Sequence, residues 1–506
     1  MKKIVLAIVL VSTINAYAQS PKKLKKIVNS TITAADLKQK LSVIAGAEME
    51  GRETATAGQR KAAQYIQNYF ESLGLNPPAG GYQMYFPVFQ DSLVSVSFAI
   101  KGQQLTPNKD FDVRLSALGN VDVKNKSIVY AGFGLVDSTR NDFKGLDLKD
   151  QWVMIAEGTP EDIGKPDSLI NYATNRAART FSKIMQARKA GAKGIIIIRK
   201  NFVETPSAPV KGHMYMADDQ QQRLPVIQVP VSTAGLLLGR QLNGFADLLQ
   251  VPSKGYPTWF SYQMQSVTLK MKSSNVIGVL PGTDKKDEYV FLTAHYDHLG
   301  KRDSVIYYGA DDDGSGTTAI LELAKTFMAL KDKGYRARRT IVFMTVSGEE
   351  KGLWGSEYYT DHPLFPLDKT TVDLNIDMIG RIDPERTYGD STNYVYVIGD
   401  DKLSSALAPV TDSVNNAFTK LELDRKFNDL NDPNRFYYRS DHFNFAKNGV
   451  PVIFYFNGTH ADYHRPTDTV DKINFDLMER RAKLVFYTAW AIANKDGMLP
   501  RDIPLK

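Results

Sequence analysis

At 506 residues, with 43% hydrophobic and 24% charged side chains, the chain has the composition of a folded protein of about three domains and not of a low-complexity or disordered one. A net charge of +7, dispersed without long basic arrays, gives no basis for a nucleic-acid partner. The absence of cysteine excludes disulfides and a thiol nucleophile, so any bound metal must be held by carboxylates and imidazoles.

Taken in chain order, Lys2 and Lys3, the apolar run Ile4 to Ala16 and the Ala16-Tyr17-Ala18 site read as a secretory signal peptide over residues 1–18. Cleavage is expected before Gln19, with export to the periplasm or the medium. The apolar run is shorter than the ~20 residues that span a bilayer. No later segment is long and apolar enough to cross a membrane, so no stable membrane insertion is expected.

Residues Ile32 to Leu75 read as helical, because Tyr65, Ile66, Tyr69, Phe70 and Leu73 recur at helical spacing and Gly74 supplies a stop. From about Val94 to Tyr262 short β-rich pieces follow, including Ser127 to Gly132, Gly194 to Arg199 and Leu224 to Val229, with a helix near Phe181 to Ala190. From Ser274 strands and helices alternate. Strands are predicted at Tyr289 to Ala294, Thr340 to Val346, Val372 to Ile376 and Val450 to Phe456, and helices at Thr317 to Leu330 and Phe475 to Asn494. Such alternation predicts an α/β layer fold with a largely parallel sheet. Arg336, Arg338 and Arg339, between a helix and a strand, read as a solvated cap. The expected organisation is the first part of an α/β domain at 31–93, an inserted β-rich domain at 94–265 and the main α/β part at 266–506.

Four of the seven histidines fall just after two of these strands, as His295 and His298 and as His460 and His464. Asp377 and the pair Glu349-Glu350 follow two others. Ligands of open α/β sheets bind beyond the carboxyl ends of the strands, so these positions suggest one shared site. In Thr293-Ala-His-Tyr-Asp-His298, His295 is a suitable zinc ligand and Asp297 is spaced to orient it. The same stretch reads equally well as an exposed polar loop. Gly309-Ala-Asp-Asp-Asp-Gly-Ser-Gly316 resembles a calcium loop at Asp311, Asp313, Ser315, Gly316 and Glu322. However, Leu299 to Tyr308 does not read as the helix that an EF-hand requires. One aspartate of the triplet as a metal ligand is the better reading. Glu349 and Glu350 can divide labour between metal ligand and general base; an isolated Glu-Glu pair is also a common charged turn. Asp377 lies among apolar residues, where a carboxylate is costly unless paired or metal-bound. His442 and His460 could support a ligand or face substrate, but read better as surface residues.

In order, His-x-Asp, Gly-Ala-x-Asp-x-x-Ser-Gly, Glu-Glu, Asp-Met-Ile-Gly and a late His resemble the co-catalytic zinc aminopeptidase family. That family includes secreted bacterial aminopeptidases and relatives of glutamate carboxypeptidase. The resemblance covers Ile32 to Phe86 and Ser274 to Asn494. The intervening segment, through Ala-Gly-Ala-Lys-Gly194 with Ile195 to Ile198 and through Leu224 to Pro230, resembles a protease-associated domain. The resemblance implies a three-layer zinc-exopeptidase-like domain with a mostly parallel mixed sheet, two Zn2+ per chain and peptide substrates. It implies Asp312 as the carboxylate bridging both zincs. Glu350 and His464 complete one metal site, and His295 and Asp377 the other. Glu349 is then the general base, Asp297 the support of His295, and the Asp312-Asp313 peptide cis. A carboxypeptidase or dipeptidase shares this cage. A glutaminyl cyclase shares much of it with one zinc, and a binding protein with a structural metal is the reading from another class.

Overall fold

The computed structural model describes residues 21–114, 119–165, 177–204, 211–216 and 224–505. The expected signal peptide at 1–18 lies outside the described residues. The chain divides into two compact units, one of Met1–Phe86 with Lys272–Lys506 and one of Pro87–Met271.

The first unit is a three-layer α/β fold. Its sheet runs, edge to edge, through Glu422–Asp424, Tyr394–Ile398, Val452–Phe456, Thr370–Ile376, Lys285–His295, Arg339–Val346 and the 276–280 end of Lys254–Leu280. The four strands Val452–Phe456, Thr370–Ile376, Lys285–His295 and Arg339–Val346 are mutually parallel. Tyr394–Ile398 and residues 276–280 pair antiparallel on either side of them, so the sheet is mixed but mostly parallel. Every residue of Arg339–Val346 and Thr370–Ile376 is buried, as expected of central strands covered on both faces.

On one face lie the helices Pro21–Thr31, Ala34–Ile44, Ala57–Ser72, Gly316–Asp332 and Phe475–Asn494, whose apolar residues share one core with Val290, Leu292, Ile341 and Leu374. Trp354–Asp361 and His442–Lys447 cover the other face, where Tyr359 and Phe445 pack on Phe291. The closing helix Phe475–Asn494 starts where Asn474 accepts a hydrogen bond from the Leu477 amide at 3.1 Å, a side-chain cap on an otherwise orphaned donor.

The structure corrects two expectations about this unit. The helical stretch predicted over Ile32 to Leu75 is broken between Ile44 and Ala57, where Glu50, Gly51 and Arg52 take left-handed backbone. The physical reason is the Arg52 side chain, fully buried and donating to the carbonyls of Ile44, Tyr296, Tyr308 and Gly309. Arg339 is not part of a solvated cap either. It is fully buried, paired with Glu288 at 2.7 Å and bonded to the Ile492 and Lys495 carbonyls.

In the second unit, residues 254–264 pair antiparallel with Val121–Tyr130, which leads through parallel pairings to Trp152–Ala156, Gly194–Ile198 and Val226–Val229. Its core gathers Trp152, Phe98, Phe260 and Tyr262 in edge-to-face contacts. The predicted helix after Phe181 is present as Thr180–Lys189.

Candidate metal centre

The four parallel strands of the first unit run the same way, so their carboxyl ends meet at one edge of the sheet. His295 is the last residue of its strand and pairs with Val346, the last of the next. Asp377 follows Ile376, and the segment leading to His464 follows Phe456. Gly348 (φ 84°) turns the chain after Val346 and presents Glu349 and Glu350. A side chain at Gly348 would strain that φ and press on Trp354.

The Asp triplet lies in the turn Ala310–Ser315 that opens the helix Gly316–Asp332. The structure separates its three members. Asp311 accepts from the Gly380 amide at 2.7 Å and from Ser315, and its other oxygen faces His460 Nε2 at 3.1 Å. Asp313 accepts from the amides of His295, Gly316 and Met378. The Asp312 carboxylate alone turns to the site. Its Oδ1 lies 3.2 Å from His295 Nε2, and its Oδ2 lies 3.1 Å from His464 Nε2. The Asp312–Asp313 peptide is cis.

Around each oxygen of Asp312 a separate group closes. His295 Nε2 is 3.6 Å from Asp377 Oδ1 and 3.9 Å from Glu349 Oε2. His464 Nε2 is 3.2 Å from Glu350 Oε2. Donor atoms that each stand ~2.0–2.1 Å from one tetrahedral ion lie about 3.3 Å apart, close to these spacings. His295 Nε2 and Asp312 Oδ2 are buried and make no aligned hydrogen bond to protein. Buried charged atoms without partners are costly, and a pair of divalent cations satisfies this donor set. The residues present therefore fit two metal ions.

The electrostatics follow from the crowding. Burial works against a charged Asp312, yet the imidazoles of His295 and His464 beside it hold its carboxyl well below the usual range. Burial also opposes a charged His464, and Asp312 and Glu350 outweigh it to carry the imidazole up to about 10. Glu349 is pushed well above the carboxylate range, first by burial and then by Glu350, Asp377 and Asp441. Arg52, buried beside them, places a fixed positive charge near Asp297, Asp312 and Asp313.

All seven residues expected at the site come together. Asp297 is buried, but its carboxylate stands 3.8 Å from His295 Nδ1, which is instead 3.1 Å from the Asp297 carbonyl oxygen. The carboxylate accepts from Thr54 Oγ1 at 2.7 Å and from the Glu349 amide at 3.2 Å. Two surface expectations are overturned. His442 is fully buried, stacked on Phe454 with Nε2 2.8 Å from the Tyr437 carbonyl. His460 is buried against Asp311 and fixes the triplet from behind. The calcium-loop reading also fails, because residues 299–308 form a small hairpin and Glu322 is bonded to Lys40 and Lys325.

Supports that the residue pattern did not reveal are Thr54, Arg52, Asp468 and Ser440. Asp468 accepts from the Asp311 and Asp312 amides, and Ser440 donates to Asp377 Oδ2 at 2.7 Å. No local spacing announces them, since they lie tens to hundreds of residues from their partners. Beside the cage opens a cleft lined by Glu349, Asp377, Met378, Phe436, Arg439, Phe454, Phe456 and Tyr463.

Comparison with known proteins bears on this site. Residues 275–489 match the model of Peptidase family M28. Aminopeptidase YwaD of Bacillus subtilis is 28% identical over 248 residues, covering 46% of this chain and 49% of that protein. A probable glutamate carboxypeptidase of Arabidopsis thaliana is 24% identical over 378 residues, covering 64% of this chain and 51% of that protein. The chain thus spans about half the length of these curated relatives. Among solved structures, an aminopeptidase from Aneurinibacillus sp. strain AM-1 superposes with a TM-score of 0.57 at 20% identity, over 95% of this chain and 100% of that one. A zinc aminopeptidase from Bacillus subtilis gives 0.54 at 20% identity, over 94% and 99%. The shared fold extends over nearly the whole chain, and residues 275–489 are similar to Peptidase family M28.

Proposed function

We propose that the protein is an exported metallo-exopeptidase that holds two zinc ions and removes N-terminal residues from peptides. The observation that carries this reading is the placement of Asp312, whose two carboxylate oxygens face two separate groups of ligand-type atoms. His295 and Asp377 would hold one ion, Glu350 and His464 the other, and Asp312 both. Bound zinc supplies Lewis acidity toward the scissile carbonyl and acidifies water. Glu349 lines the cleft and stands 3.9 Å from His295 Nε2, which supports a role in which it would take a proton from the attacking water and pass it to the leaving amine. The Asp297 carboxylate holds the Glu349 amide, and its carbonyl oxygen orients His295.

The aromatic walls at Phe436, Phe454 and Phe456 suit an apolar side chain of the residue removed. The names of the relatives support peptidase action, and several include an aminopeptidase title. The unit Pro87–Met271 is read as a protease-associated insert and residues 1–18 as the export signal.

A carboxypeptidase or dipeptidase is the second reading, favoured by the 378-residue match to a probable glutamate carboxypeptidase and by Arg439 in the cleft. Aminoacyl-arylamides assayed beside N-blocked peptides, with zinc analysis of the same preparation, decide between them. Cleavage of blocked peptides alone would overturn the aminopeptidase reading. One zinc at full occupancy would overturn the two-metal reading and favour a cyclase-like enzyme.

A further inference from the structure

One buried imidazole beside the cage has no role in the mechanism above. His298 has 0% exposure, and neither of its ring nitrogens makes an aligned hydrogen bond to protein. Its backbone is fixed by a bond from its amide to the Arg52 carbonyl at 3.3 Å. Its ring lies against Gly309 (φ 55°), where an added Cβ would stand 2.5 Å from the imidazole, so only glycine leaves room for it. His298 Nδ1 lies 2.8 Å from Glu350 Oε1 and 3.7 Å from Asp312 Oδ2.

These distances differ in kind from the others at the site. The pairs that flank the two metal positions stand 3.1–3.6 Å apart, as atoms sharing one ion do. The 2.8 Å contact has the length of a charge-assisted N–H···O bond. It also falls on Oε1, whereas the oxygen beside His464 is Oε2. We propose that His298 is a positioning residue: its Nδ1–H stands 2.8 Å from Glu350 Oε1 but out of line in this structure, and with zinc bound it donates to that oxygen and holds the carboxylate in the orientation the second zinc requires. This rests on the two-zinc peptidase reading and adds to it a support for one metal only. A donor behind a ligating carboxylate fixes its direction and raises metal affinity, and its loss costs about 10- to 100-fold.

The test uses the full chain and zinc itself. Zinc dissociation constants are measured by competition with a chromogenic chelator, and the imidazole count per zinc by X-ray absorption of the loaded wild type. His298→Leu is expected to weaken one of the two zinc equilibria about 10- to 100-fold and to leave the other near its wild-type value. His298→Asn, which keeps an N–H donor near the Nδ1 position, is expected to restore most of that affinity. The absorption spectrum should give about one imidazole per zinc, from His295 and His464. Unchanged affinities in both variants would overturn the inference, as would an Asn variant as weak as Leu or an imidazole count near 1.5, which would make His298 a direct ligand. A wild-type chain that takes up no zinc would break the peptidase reading itself and the inference with it.

Discussion

The two units of the chain share a construction and differ in what stands at its open end. Each has adjacent parallel strands whose last residues bring charged side chains to one edge of a sheet. In the second unit those charges answer one another: Arg199, just after Gly194–Ile198, pairs at 2.9 Å with Glu157, just after Trp152–Ala156. In the first unit acids face acids. Asp312 stands near Glu350, and Asp377 near Glu349, while Asp312 Oδ2 and His295 Nε2 keep no aligned hydrogen bond. Like charges are not buried together without compensation, so the first edge calls for cations and the second does not.

The largest effect expected from this contrast is at Asp312. Asp312→Asn removes the charge shared by the two groups and should release at least one of two zinc equivalents. Loss of several kcal/mol of charge stabilisation corresponds to ~10³-fold or more in kcat/KM. Metal analysis beside arylamide kinetics checks this, and retention of both zincs would break the comparison. Next comes Glu349→Gln, expected to lower kcat by about 10²- to 10⁴-fold while zinc content and the melting transition stay at wild-type values. Full activity in that variant would remove Glu349 from the role of base.

A third prediction sharpens the contrast inside the first unit, because not every buried histidine there belongs to the cage. Burial holds His442 down to about 3, against an ordinary value near 6.5. Between those values the unfolded chain holds the extra proton, so stability is fully present above pH ~6.5 and falls as the pH drops toward 3. At ~1.4 kcal/mol per pH unit the loss reaches about 4 kcal/mol at the acid end. His442→Phe should flatten the pH dependence of the denaturation midpoint between pH ~6.5 and ~4; an unchanged slope would place the acid sensitivity elsewhere. The smallest effect is expected in the second unit. The Arg199 side chain is 37% exposed and Glu157 22%, so Glu157→Gln should cost no more than ~1 kcal/mol and leave kcat/KM unchanged.

Local pattern carried much of the fold. The helix Phe475–Asn494 is legible from its apolar spacing, and the central strands from short, largely apolar runs, within which buried Asp373 and Asn375 are accommodated by bonds from Thr293. The break after Ile44 was not legible. It exists because one arginine, buried at a distance from its own helix, bonds the carbonyls of Tyr296, Tyr308 and Gly309. The surroundings of His442 and His460 are illegible for the same reason: a lone histidine announces no environment, and only packing against Phe454 or Asp311 supplies one.

The residue pattern dictates which side chains gather at the strand ends, because four parallel strands with His, Asp or Glu just beyond them must deliver those groups to one edge. Spacing alone does not choose among three consecutive aspartates; the family resemblance points to Asp312, and the fold supplies the physical reason. Asp311 is taken up by Gly380, Ser315 and His460, and Asp313 by the amides of His295, Gly316 and Met378. Asp312 alone turns both oxygens to the histidines on either side, while hydrogen-bond donors hold the carboxylates of its two neighbours.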